Sequence, residues 1–223
     1  MSLRGGPSRF LHLAILVTLM MPTAIAAPKP ASAMPPLLRE VERNYAKAGT
    51  ISAQFRQVNE SAELHTKKTS SGQITIKRPD KLRWQTLAPD PNLFVSDGKH
   101  AWFYTPPFDP SEHGQYSEYP ASKIRSKLAN SLLAGEFSAA RDLKITALSD
   151  REFELKPKRG TAGSVVDARI EIDPKEKVIT RIQLSHDDGN HSDIQLSDVR
   201  LGAKVGQSTF VFSPPPGTER IRD

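Results

Sequence analysis

Apolar residues recur at helical spacing in two stretches of this chain and alternate with polar ones almost everywhere else. In "LLREVERNYAKAG" (37–49), Leu38, Val41, Tyr45 and Ala48 fall on one helical face. Pro35-Pro36 is suited to opening that helix and Gly49 to ending it. The period then changes to two. Ile51, Ala53 and Phe55 alternate, as do Ile74 and Ile76; Leu82 and Trp84 take one face with Arg83 and Gln85 on the other. "NLFVSDGKHAWFY" (92–104) predicts a hairpin with Asp97-Gly98 at its tip. Helical spacing returns in "YPASKIRSKLANSLLAG" (119–135) through Ala121, Ile124, Leu128 and Leu132, again closed by a glycine. The remainder, "REFELKPK", "ARIEIDPKEKVITRIQLSHDDGNHSDIQLSDV" and "STFVFSPPPG", predicts strands joined by tight turns at "DPKEK" and "DDGN".

Helix, strands, a helical insertion and strands again predict an α+β fold. An antiparallel sheet of roughly ten strands tends to curl or close. The expected architecture is a strongly curled antiparallel sheet, an unclosed β-barrel, with short α-helices in its concave side.

The hairpin raises a question of its own, because Trp102, Phe103 and Tyr104 place large rings on both faces. A two-residue turn at Asp97-Gly98 pairs Ser96 with Lys99, Val95 with His100 and Leu93 with Trp102. One face then holds Leu93, Val95, Trp102 and Tyr104; the other holds Phe94, Ser96, Lys99, Ala101 and Phe103. The first is the more apolar and is expected to face the concavity. A longer turn shifts the cross-strand pairs but keeps the alternation. An ordinary core between sheet and helix uses the same rings, and this stretch alone does not separate the two readings.

The first 26 residues change the picture of where the protein works. Arg4 and Arg9 precede the apolar run "FLHLAILVTLMM", and "AIA" (24–26) supplies a small-x-small cleavage pattern, with "ASA" (31–33) a second candidate a few residues later. A cleaved signal peptide (1–26) and a periplasmic location are expected, followed by a Pro/Ala-rich leader (27–36) and a single domain (37–223). Removing Arg4 and Arg9 lowers the formal charge from +6 to +4, 29 bases against 25 acids. The bases are scattered, which speaks against nucleic acid. The chain has no cysteine, which excludes disulfides, thiolate metal sites and a catalytic thiol, and predicts that the mature protein is not itself lipidated.

"IKRPDKLRW", "SDGKHAWFYTPP" and the closing "STFVFSPPPG" resemble the periplasmic outer-membrane lipoprotein carrier family, LolA, over nearly all of the chain that follows the leader. The resemblance implies a monomeric chaperone with no catalytic step and no cofactor. Family members take triacylated lipoproteins from an inner-membrane ABC transporter, LolCDE, and pass them to a receptor lipoprotein, LolB, on the outer membrane. It also implies that Leu82, Trp84, Leu93, Val95, Trp102 and Tyr104 line an acyl-chain cavity. The stripes Leu38, Val41, Tyr45 and Ile124, Leu128, Leu132 then belong to lid helices, although such stripes also serve as plain core. Arg78 matches the family arginine that hydrogen-bonds to helix carbonyls and latches the lid; it shares the strand parity of Ile74 and Ile76. Leu82 stands where family members often carry Phe.

Other functions are weighed against this one. "SHDDGNHSD" (185–193) gathers His186, Asp187, Asp188, His191 and Asp193, but its spacing matches no zinc or calcium pattern, so no metal is expected. No G-x-S-x-G, HExxH or phosphate-cradling glycine loop occurs, and an enzyme is not expected. A periplasmic regulator that senses stray lipoproteins, or a carrier of another lipid, remains as the alternative.

Overall fold

The structure is a computed structural model that describes residues 34–109, 111–124, 127–137, 143–158 and 161–222. The expected signal peptide and most of the leader lie outside the described residues. Helix α1 (Pro36–Ala48) begins on its proline and ends at Gly49, whose φ of 69° is the left-handed conformation that glycine adopts without strain. Leu38, Val41 and Tyr45 are its buried face, as the spacing predicts. There follow β1 (Thr50–Ser61), β2 (Thr66–Lys77), β3 (Lys81–Ala88), β4 (Asn92–Ser96), β5 (His100–Thr105) and β6 (Gln115–Pro120). A 3-10 turn (Ala121–Lys123) and the seven-residue helix α2 (Lys127–Leu133) interrupt the strands. The chain continues through β7 (Leu143–Ala147), β8 (Glu152–Pro157), β9 (Val165–Asp173), β10 (Val178–His186), β11 (His191–Leu201), a second 3-10 turn (Gln207–Phe210) and β12 (Glu219–Ile221).

All twelve strands form one sheet in the order β12-β6-β5-β4-β3-β2-β1-β11-β10-β9-β8-β7. Neighbours are antiparallel except for β12, which runs parallel to β6. The edges β12 and β7 do not pair with each other, so the sheet is not closed. It must nevertheless curl. Ser117 of β6 and Leu184 of β10 line one cavity, although seven strand spacings of about 4.8 Å would hold them about 34 Å apart in a flat sheet. Register shifts at Ser52/Gln54, Ser71/Gly72 and Ile179/Arg181 supply local bends. The concave face presents Ile51, Phe55, Ile74, Ile170, Ile182 and Ile194 to α1 and α2, forming the main core.

Three expectations need correction. The first is the hairpin. Asp97 Oδ1 accepts the backbone N–H groups of both Lys99 and His100, each at 2.7 Å, and the Asp97 N–H reaches the His100 carbonyl. This lengthens the turn, so Ser96 pairs with Ala101, Val95 with Trp102 and Leu93 with Tyr104. The second is the segment 119–135, expected to be helical throughout. Tyr119 and Pro120 instead complete β6, because the free edge of β5 needs backbone partners, and regular α-helix begins only at Lys127. The third is "STFVF". It is no strand but a 3-10 turn and extended chain laid across the convex face of the sheet. Phe210 is fully buried there, Arg83 Nη1 lies 3.5 Å from the Thr209 carbonyl that it donates to, and the Phe212 ring sits 5.4 Å from Tyr104 and 5.5 Å from Tyr116.

Candidate functional site

A cavity of about 1120 Å³ lies between the concave face and α2. Leu82, Trp84, Phe94, Leu184 and Ile194 supply its apolar sheet wall, and Ile124, Ala129 and Leu133 supply the wall on the helical side. Register explains the sheet wall. Leu82 pairs with Ser96 and Trp84 with Phe94, and directly opposed residues share a face. The Trp84 ring packs 4.2 Å from that of Phe55. Gly72, paired with Phe55, makes room for this: a Cβ at Gly72 would clash with the Gln85 carbonyl oxygen and lie 3.0 Å from the Phe55 ring.

The register inverts the expected face of the β4–β5 hairpin. Leu93, Val95, Trp102 and Tyr104 do share a face, but it is the convex one; Phe94 and Phe103 occupy the face of Trp84. None of those four lines the cavity. Val95 is fully buried outside the main core, as is Phe210 of the C-terminal segment. Rings on both faces therefore have two different partners, the cavity within and the C-terminal segment without. Counting apolar residues could not choose between two apolar faces. The signal was the line-up of Phe94 with Trp84 across β3 and β4.

The two helices stand differently toward the cavity. Leu38, Val41 and Tyr45 of α1 are all in the main core, and none of them lines the cavity. The Tyr45 hydroxyl accepts the Ile179 N–H at 3.0 Å, and burial pushes its phenol up to about 12. Leu128 and Leu132 of α2 belong to the core without lining the cavity; Ala129 and Leu133, also core residues, line it together with Asn130. Ile124 lines it as well, and it borders a second, adjoining cavity of about 420 Å³. Leu82, Asn130 and Leu133 are common to both spaces as well, so the two adjoin along α2.

Arg78 holds the C-terminal end of α2. Just beyond β2, its Nη1 donates to the Ala134 carbonyl at 2.9 Å and its Nη2 lies 3.3 Å from Glu136 Oε1. Its backbone N–H bonds the Gly49 carbonyl, which ties the same residue to the end of α1. A guanidinium suits an exposed helix C-terminal carbonyl in geometry and in charge. Glu136, which the sequence did not single out, is the other half of the contact. Burial raises its carboxyl pKa; Arg78 works against the shift, while Asp80 and Glu42 add to it. Both side chains are about one-fifth exposed.

The residues of 185–193 have separate partners. Asp193 forms a two-pronged contact with Arg181 at 2.8 and 2.6 Å, His186 Nδ1 lies 3.0 Å from Ser164 Oγ, and His191 Nδ1 lies 3.2 Å from Ser185 Oγ. Among the described residues no three His, Asp or Glu side chains gather in a way that could hold a metal ion. No described helix is long and apolar enough to cross a membrane.

Residues 46–213 match the family described as outer membrane lipoprotein carrier protein LolA. An outer-membrane lipoprotein carrier protein of Azotobacter vinelandii is 29% identical over 192 residues, covering 79% of this chain and 84% of that one. One from Vibrio campbellii is 31% identical over 182 residues, covering 81% and 83%. Among solved structures, a LolA superfamily protein from Nitrosomonas europaea covers 79% of this chain and 96% of its own, at 13% identity and a TM-score of 0.44.

Proposed function

Since this chain belongs to the outer membrane lipoprotein carrier protein LolA family, we propose that it is a periplasmic carrier that holds the acyl chains of lipoproteins in the cavity under α2. The observation behind this is the cavity: about 1120 Å³, with Leu82, Trp84, Phe94, Leu184 and Ile194 on its sheet side and Ile124, Ala129 and Leu133 on its helical side, interspersed with polar residues such as Gln57, Asn130 and Ser192. In this role Leu82, Trp84 and Phe94 contact the chains, and α2 with Ile124 serves as the lid. Arg78 is the latch.

The energetics favour such a division of labour. Burying a methylene contributes roughly 0.8 kcal/mol, so three long acyl chains represent on the order of 30 kcal/mol of apolar surface exposed to water. A carrier must offset most of that without binding so tightly that it cannot release. A seven-residue helix is too short to be stable alone. Held by its core leucines and one arginine contact, α2 can yield to a chain that replaces its apolar contacts. The core packing of α1 suits it to remain in place.

The donor in this scheme is the inner-membrane transporter LolCDE, and the acceptor is the outer-membrane receptor LolB or a substitute. Residues 1–26 direct export in this scheme, and their removal frees the mature protein into the periplasm. The test is release: mature protein (27–223) is added to spheroplasts or inner-membrane vesicles and the supernatant is probed for triacylated lipoproteins. Release that requires both ATP and the added protein is the expected result. Absence of release, with another amphiphile recovered from the purified protein, would change the cargo. Absence of both would overturn the carrier role.

A further inference from the structure

The cavity has a charged mouth that acyl chains alone do not explain. Opposed residues along Trp84, Phe94, Phe103, Ser117 and Ile221 form one row across β3, β4, β5, β6 and β12. The row leads from the cavity's sheet wall to the edge of the sheet, where Phe103 and Ile221 are 41% and 45% exposed. At that edge Arg220, Arg222 and Lys123 all line the cavity, and all three are exposed. Glu118 is the sole acid among the described lining residues, and it is taken by Arg220 at 3.0 Å. Lys123 and Arg222 have no anionic partner among the described residues. β12 is the edge strand: its Ile221 pairs with Ser117 and continues the row, while Arg220, paired with Tyr116, starts from the opposite face and lines the mouth from the rim of the sheet; the Glu219 N–H bonds the Gly114 carbonyl at 2.8 Å. Both arginines lie beyond residue 213, where the family match ends.

Resting on the carrier reading above, we propose that Lys123, Arg220 and Arg222 form a subsite for an anionic group, phosphate or carboxylate, attached next to the acyl chains of the bound amphiphile. Two cations with no anionic partner among the described residues, beside an apolar wall, concentrate field at the mouth. Guanidinium groups offer paired donors that match a phosphate or carboxylate. The chains lie along Trp84 and Phe94, and the anion rests where the apolar row meets the cations. A neutral head finds no charge partner there. The anion has two possible sources, an acidic side chain beside a lipoprotein's acylated terminus or the phosphate of a phospholipid.

The test is binding of single-chain probes, below their micelle concentrations, read from tryptophan fluorescence of the mature protein. Dodecyl phosphate is compared with dodecyl maltoside at low and high salt. About tenfold tighter binding of the phosphate at low salt, equivalent to about 1.4 kcal/mol, with the advantage shrinking as salt is added, is the expected result. In a Lys123→Gln/Arg222→Gln variant, shown to be folded by its thermal melt, the ratio of the two affinities should fall toward one. Equal binding of the two probes, or a ratio that the variant leaves intact, overturns the subsite while the carrier role stands. If neither probe binds, the carrier role falls and the subsite with it. An acylated dipeptide bearing an aspartate is then set against its asparagine counterpart. A preference for the aspartate larger than the preference for dodecyl phosphate assigns the subsite to lipoprotein cargo, and the reverse order assigns it to a phospholipid.

Discussion

Arg78 and Glu136 show how a single contact can be strong enough to close a lid and weak enough to open it. The guanidinium satisfies the Ala134 carbonyl and faces a carboxylate, but burial of that carboxylate opposes its charge more than Arg78 supports it. Glu136 therefore holds a proton more tightly in the folded protein than in the unfolded chain. Its stabilising contribution is fully present below the ordinary glutamate value of 4.5 and is lost as pH rises through the raised value. Melting temperatures of the wild type and Glu136→Gln, compared from about pH 4 to about pH 7, should show the wild type losing ground to the variant as pH rises. A difference that stays constant, or moves the other way, would remove Glu136 from the account. Arg78 was legible through its motif and strand parity. Glu136 was not, because nothing in the sequence signals that a residue 58 positions away returns to the same spot.

Helix α2 illustrates what sets an element's limits. Its apolar spacing was readable, but its start was not, since pairing of Tyr119 and Pro120 with β5 took the first residues of the expected helix. Its end depends on Gly135. With φ at +63°, the residue is left-handed, and a Cβ there would lie 2.7 Å from the Tyr45 ring of α1. Gly49 has a similar φ of +69° and nothing within 4 Å of a built Cβ. The two glycines separate backbone strain from close packing. Gly49→Ala should cost about 1 kcal/mol, the left-handed penalty alone. Gly135→Ala should cost about 3 kcal/mol, because the Tyr45 ring cannot retreat from a site where its hydroxyl is bonded to Ile179. Urea unfolding of both variants measures the difference. Equal losses would show that α2 does not rest on α1 as tightly as the geometry indicates.

On the scale of the whole molecule, the two sides of the sheet do different work. The concave side holds the core, the helices and the cavity; the convex side of β3 to β6 holds the C-terminal segment with Phe210 and Phe212. The protein's two tryptophans are divided between them, which gives a direct test. Trp84 lines the cavity, and Trp102 lies on the opposite face. An acylated ligand should change the emission of Trp102→Phe, in which Trp84 alone reports, and leave that of Trp84→Phe nearly unchanged. The reverse pattern would place the acyl chains on the convex side and overturn the assignment of the cavity.

By itself the sequence determined the class of the protein. The change of period from 3.6 to two sets helix against strand, the strand count demands a curled sheet, and three short blocks around Arg78, Trp84 and Trp102 mark the family. These signals are local, because backbone geometry and alternation act within a few residues. Which face of the aromatic hairpin meets the cavity was decided only by tertiary structure. So were Phe94 joining Trp84, the C-terminal segment covering Val95's side, and Arg220 and Arg222 reaching the cavity mouth. Each depends on the register between strands and on the length of the turn at Asp97. A shift of register moves side chains past their partners, and the hydrogen bonds that set it belong to no single segment.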